Sequence, residues 1–121
     1  MDGSATTEFA WGDRDCTFRL GMEQLRKLQE ATGAGPLALF NRLSSGDWKV
    51  DDVRETIRLG LIGGGMGGIE ALKMVKEFVD NQPLFPNINP ARVIIMAALA
   101  GPSDDDTKKK TTEKTETKSV S

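Results

Sequence analysis

Histidine is absent from these 121 residues, and cysteine occurs once, at Cys16. Without imidazole the chain lacks the commonest general base and the usual partner of a cysteine nucleophile. A zinc site built on thiolates and imidazoles lacks its ligands for the same reason, and a lone cysteine excludes an intrachain disulfide. Cys16 reads instead as a small apolar residue on a strand. Long apolar runs are also missing. The longest, VIIMAALA from Val93 to Ala100, is far short of the roughly twenty residues that span a bilayer. The N-terminus has neither a basic start nor an apolar stretch of the secretory kind, so the expectation is a cytoplasmic protein with no membrane contact. Charge of one sign is lacking too. The net charge is −2, and the lysine run Lys108 to Lys110 has Asp104 to Asp106 directly beside it. That balance favours neither nucleic acid nor an anionic membrane.

The last nineteen residues, SDDDTKKKTTEKTETKSVS, hold one apolar side chain, Val120. Such a segment cannot bury enough surface to offset the entropy of ordering it. A disordered tail is expected over 103–121 and a flexible start over 1–7, leaving a domain over 8–102. About a hundred residues suffice to fold alone, with a modest margin of stability.

Within that domain the period of apolar residues changes from two to 3.6. EFAW and CTFRL flank the polar turn GDRD, with alternating Phe9 and Trp11 on one side and Cys16, Phe18 and Leu20 on the other, which predicts a β-hairpin with strands over 8–11 and 16–20. Asp13 and Asp15 are turn residues, and no acidic ligands follow them at calcium-loop spacing. From Gly21 a helix is predicted with Met22, Leu25, Leu28 and Ala31 inward, ended by Gly33. A second, short helix opens at Pro36, with Leu37, Phe40 and Leu43 inward, and closes at Gly46.

The stretch LGLIGGGMGGIE from Leu59 to Glu70 poses the main functional question. Gly63, Gly65 and Gly68 have the spacing G-x-G-x-x-G of a dinucleotide-binding turn. That chemistry needs a strand entering the glycines and a carboxylate about twenty residues beyond them to hold the ribose. Val53, Ile57, Gly60 and Leu61 instead share one helical face over 51–62, with Asp52 and Glu55 placed as a capping box and Arg54 and Arg58 on the outer face. The residue at the ribose distance is Ile88. No cofactor is expected, and Gly63 falls just past the helix end, where a left-handed conformation is wanted. Asp51, Asp52 and Glu55 are the only acidic cluster suited to acid/base work, and capping accounts for two of them.

A further helix is predicted from Gly67 to Asp80, with Leu72, Val75 and Val79 on its apolar arc. The loop PLFPNIN follows, and a last helix opens with Asn89 as N-cap and Pro90 as first residue. In that last helix Val93, Ile94, Ile95, Met96 and Leu99 point in all directions, so it must be covered on all sides. Either it threads between the other helices, as a buried strand or helix, or part of it meets another chain. Leu59 and Ile62 pose the same alternative. The candidate partner-binding residues are therefore Leu59, Ile62, Ile94, Ile95, Met96 and Leu99. The fold class is mainly α: about five short helices with an N-terminal hairpin.

Taken as text, FRLGMEQLRKLQEATGAGPLALFNRLSSGDWKVDDVRETIRLGLIGGG, continuing through ALKMVKEFVD and PLFPNINPARVIIMAALAG, resembles the phage-type tail assembly chaperone family of gene transfer agents, sometimes labelled a gene transfer agent tail tube protein. The resemblance covers roughly residues 9–102 and is most specific from Trp48 to Gly65. It implies a non-enzymatic chaperone that binds the tape measure protein before the tube polymerises, with tail tube subunits as a second expected partner. The alternative is a structural component of the tube itself, and self-association is a further possibility. On the chaperone reading, Gly63, Gly64, Gly65, Gly67 and Gly68 form a hinge between the helices on either side; the bland reading is a plain loop.

Overall fold

Two strands, β1 (Thr6–Trp11) and β2 (Arg14–Arg19), pair antiparallel with Phe9 opposite Cys16 and Trp11 opposite Arg14, so that only Gly12 and Asp13 remain in the turn. They come from a computed structural model that describes residues 6–101. The expectations for the tail over 103–121, and for most of the start over 1–7, lie outside the described residues. The strands begin two residues earlier than the alternation predicts, and Leu20 lies beyond the pairing although it is buried. Period two still decides which face is inward. Trp11, Cys16 and Phe18 are buried, and Phe9 stacks on Phe18 with ring centroids 4.6 Å apart.

Five α-helices follow the hairpin: α1 (Met22–Thr32), α2 (Pro36–Ser45), α3 (Val50–Gly63), α4 (Gly68–Val75) and α5 (Phe85–Ala100). A π-helical turn, Lys76–Asp80, continues α4 without a break. The described part is thus mainly α with one N-terminal hairpin, as the sequence predicts. In α1 and α2 the inward faces are rotated from the predicted ones. The first buries Leu28 and Thr32 while Met22 lies exposed, and the second buries Leu39 and Leu43 while Leu37 points outward.

Residues 51–62 are helical, as their 3.6-residue period predicts, and α3 is the central element of the core. It packs against β2, α1, α4 and α5 and buries Val53, Ile57, Leu59 and Leu61 among them. Gly60 lets α5 and the hairpin come close, since a side chain there would press on Ile94 and Phe18 at 3.1 and 3.3 Å.

Two helix starts differ from the sequence reading. The N-cap of α3 is Lys49, not Asp52, and Asp52 is its third residue, whose Oδ2 accepts the Lys49 N–H at 2.8 Å. That carboxylate is fully buried and lies 3.5 Å from the Arg42 Nε, which fastens the end of α2 to the start of α3. Its Oδ1 has no hydrogen-bond partner among the described residues. The other difference is in α5, which begins at Phe85 rather than Asn89, so the stretch expected as a loop is its first turn and Pro90 lies inside the helix. Pro86 fills the early position where a missing N–H costs nothing, whereas Pro90 removes one helical hydrogen bond.

Candidate functional site

The glycine run is entered by a helix, left by a helix, and pressed against a strand. Gly63 is the last residue of α3, and a side chain on it would overlap the backbone carbonyl of Arg19; one on Gly64 would overlap that of Thr17. Both positions let the C-terminal end of α3 lie directly on β2, an approach only glycine permits. The left-handed residue is Gly65, at φ 114, and not Gly63 as the helix-end reading expects. Gly67 and Gly68 have open space around them. The strand–turn–helix context of a phosphate-binding loop is therefore replaced by helix–turn–helix. Of the five candidate hinge positions, Gly63 and Gly64 are anchored, whereas Gly65 and Gly67, ahead of α4, and Gly68, its first residue, have open space around them.

The candidate partner-binding residues separate into two sets. Leu59, Ile94 and Ile95 are buried in the core, which corrects their placement on a partner surface, and Ile62 is half-buried against that core. Met96 and Leu99 reach the surface at 38% and 42% exposure. They share the outward side of α5 with Phe85, which is 80% exposed although its ring meets Trp48 edge-on at 6.3 Å. Sequence reading missed Phe85 because it lay in an expected loop, and missed Leu37, 61% exposed, because it was assigned inward. The signal available was Pro86, which marks a helix start four residues before Asn89–Pro90.

This outward face has a definite neighbour. The Arg92 guanidinium stands 5.5 Å over the Phe40 ring and donates from Nε to the Ser44 Oγ at 3.2 Å. Further along, Trp48, just past α2, meets Phe85, so α2 and α5 run antiparallel side by side. The sequences of these two helices contain Arg42 and Arg92 and no carboxylate. Arg92 therefore lies near the middle of a face to which neither helix contributes a carboxylate.

Polar contacts fix α5 and the π-helical turn in place. The Trp11 Nε1 donates to the Asn87 Oδ1 at 2.8 Å, and the Asn87 Nδ2 donates to the Phe78 carbonyl at 2.9 Å, tying β1, the π-helical turn and α5 together. Arg54 grips Asp80 with two parallel bonds of 2.9 and 3.1 Å and also reaches Glu55. Arg58 clamps Glu55 from the next turn at 2.6 Å. These side chains are largely shielded rather than solvated, which corrects the outer-face reading of Arg54, Glu55 and Arg58. Their carboxylate partners, Asp80 for Arg54 and Glu55 for Arg58, raise both guanidinium pKa values. Of the acidic cluster, Asp52 is thus engaged in capping and in pairing with Arg42, and Glu55 in pairing with Arg54 and Arg58.

An open cleft of about 290 Å³ lies between β1 and the first turns of α5, lined by Thr7, Glu8, Phe9, Asn89, Pro90 and Val93. Glu8 is its one charged group. Among the described residues no group of three or more metal-ligating side chains gathers, and no helix is long and apolar enough to cross a membrane.

The family described as phage tail tube protein, GTA-gp10, matches residues 4–101. The chain belongs to that family. No curated protein and no solved structure matches it. Membership in the GTA-gp10 family supports the gene transfer agent affiliation that the sequence resemblance implies, under the label of a tail tube protein rather than of a tail assembly chaperone.

Proposed function

We propose that this chain is a non-enzymatic protein of tail assembly that works by binding other tail proteins in the host cytoplasm, and that it acts as a chaperone for the tape measure protein. The observation that carries the reading is the exposed apolar side of α5, with Phe85, Met96 and Leu99, beside α2, on which Leu37 is also exposed. A long helical protein with apolar stripes aggregates when naked, and small helical domains laid along it cover those stripes by helix-to-groove contacts. Many copies along one ligand add retention without strong individual contacts. Release stays easy, so tube subunits can displace the chaperone. In this reading Gly65, Gly67 and Gly68 are the moving part of the hinge, letting α4 change its angle to α3 while Gly63 and Gly64 hold α3 on the hairpin.

The family description favours a second reading, a structural component of the tail tube. Against it stands the small extent of sheet: among the described residues the only sheet has two strands, and a tube wall built from extended sheet needs more. Electron microscopy of the purified protein separates the two. Rings or tubes support the structural role, and monodisperse small particles support the chaperone. Co-expression with the tape measure protein of the same tail tests the leading reading directly. Higher soluble yield of that protein in the presence of this chain is expected, and equal yield with and without it contradicts the proposal.

A further inference from the structure

On α5, Phe85, Arg92, Met96 and Leu99 fall within about 60° of arc at 100° per residue. Their spacing of seven, four and three residues is that of a coiled-coil seam with Arg92 at a central position. Three observations limit what can lie on this seam. Both walls are helices whose backbone groups, apart from the one hydrogen bond lost at Pro90, are bonded within the helix, so a strand laid here would find no ladder of donors and acceptors for its own edge, whereas a helix brings its hydrogen bonds satisfied. The seam from Phe85 to Leu99 is about 21 Å long at 1.5 Å per residue, the length of four helical turns. Finally, Arg92 is the one charge on the outward side of α5, and neither α2 nor α5 contains an acid. A second copy packed about a two-fold axis at the centre of the seam would set two Arg92 guanidiniums against each other in apolar surroundings, which disfavours a symmetric dimer.

We infer that the α2–α5 seam is the docking site for an amphipathic helix of another protein, one that seats its apolar stripe on Met96, Leu99 and Phe85 and presents a carboxylate to Arg92. Arg92 then sets the register of the partner, as a single polar residue does in a coiled coil. The inference rests on the reading that this chain acts by binding helical segments of other tail proteins, and it names the chemistry such a segment must have.

Two synthetic helical peptides of about twenty residues, with one leucine stripe in common and flanks of glutamate in one and lysine in the other, are titrated by fluorescence anisotropy into the full chain. The glutamate peptide is expected to bind at least about fivefold more tightly than the lysine peptide. That order opposes the net charge of −2, which on its own would favour lysine. Arg92→Glu is expected to reverse the order, Arg92→Gln to flatten it, and Met96→Lys with Leu99→Lys to remove binding of both peptides, while circular dichroism shows each variant folded. Equal or tighter binding of the lysine peptide, an order unchanged in Arg92→Gln, or no saturable binding of either peptide overturns the inference. So does a wild-type dimer that Met96→Lys with Leu99→Lys dissociates, since the occupant would then be a second copy. Glutamate preference without any gain in tape measure solubility would leave this inference standing and remove the chaperone reading; solubility gain without the preference would do the reverse.

Discussion

The α-carbon of Gly63 lies against the carbonyl oxygen of Arg19, so closely that any side chain at position 63 would overlap that oxygen. Both partners are backbone, so the overlap cannot be relieved by turning a rotamer. Gly63→Ala and Gly64→Ala are each expected to destabilise the fold by about 3 kcal/mol, measured by urea unfolding. Gly67→Ala, with open space around it and an extended backbone at φ −64 at the N-cap of α4, is expected to change stability by less than about 1 kcal/mol, since the weaker cap opposes the gain from a stiffer unfolded chain. A hinge test therefore belongs at Gly67 and not at Gly64, where loss of binding would only report loss of the fold.

Asn87 joins three elements through one buried amide, accepting from Trp11 and donating to the Phe78 carbonyl. Asn87→Ala leaves both groups unpaired and is expected to cost about 3 kcal/mol. The intrinsic fluorescence of Trp11 reports the loss, read against a Trp48→Phe background. A midpoint unchanged from that background would contradict the tie between β1 and α5.

The two sides of α5 differ in energy as well as exposure. Ile94→Ala and Ile95→Ala should each destabilise by about 3 kcal/mol through cavity formation. Met96→Ala and Leu99→Ala should each cost less than about 1 kcal/mol, because much of each side chain is already in water. Thermal melts of the four variants check the pattern, and similar losses at all four positions would contradict it.

Cys16 sits in the core, and burial pushes its thiol pKa up, with a smaller opposing pull from the Arg14 guanidinium. The contribution of the protonated thiol to stability is fully present below the unfolded thiol's pKa. It is lost as pH rises from there through the raised folded value, because the unfolded chain gives up its proton first. Reaction with an aromatic disulfide reagent at pH 8 is expected to proceed at the unfolding rate. Labelling as fast as in urea would contradict the burial.

Much of this fold was legible because its apolar periods were clean. The alternation around Gly12 gave the hairpin, and Val53, Ile57 and Leu61 gave α3 against the competing glycine motif. The helix starts were harder to read. Asp52 looked like an N-cap because a carboxylate three residues before Glu55 fits a capping box, yet the chain turns helical at Val50 and Asp52 caps from inside. Asn89–Pro90 made an equally good start signal, overridden by Phe85–Pro86 upstream and by the packing of Asn87 on Trp11. The face of α5 could not be read at all from Val93 to Leu99, since a helix apolar on every side carries no label for its outward side. Only the positions of α2, α3 and the hairpin assign Ile94 and Ile95 inward and Met96 and Leu99 outward.

The central claim is that tail proteins are bound on the outward side of α5. Co-purification of the tape measure protein with tagged wild-type chain and with the Met96→Lys, Leu99→Lys double variant tests it most directly, once both are shown to unfold at the same urea midpoint. The tape measure protein should be retained by the wild-type chain and lost from the variant; equal retention by both would place the binding surface elsewhere.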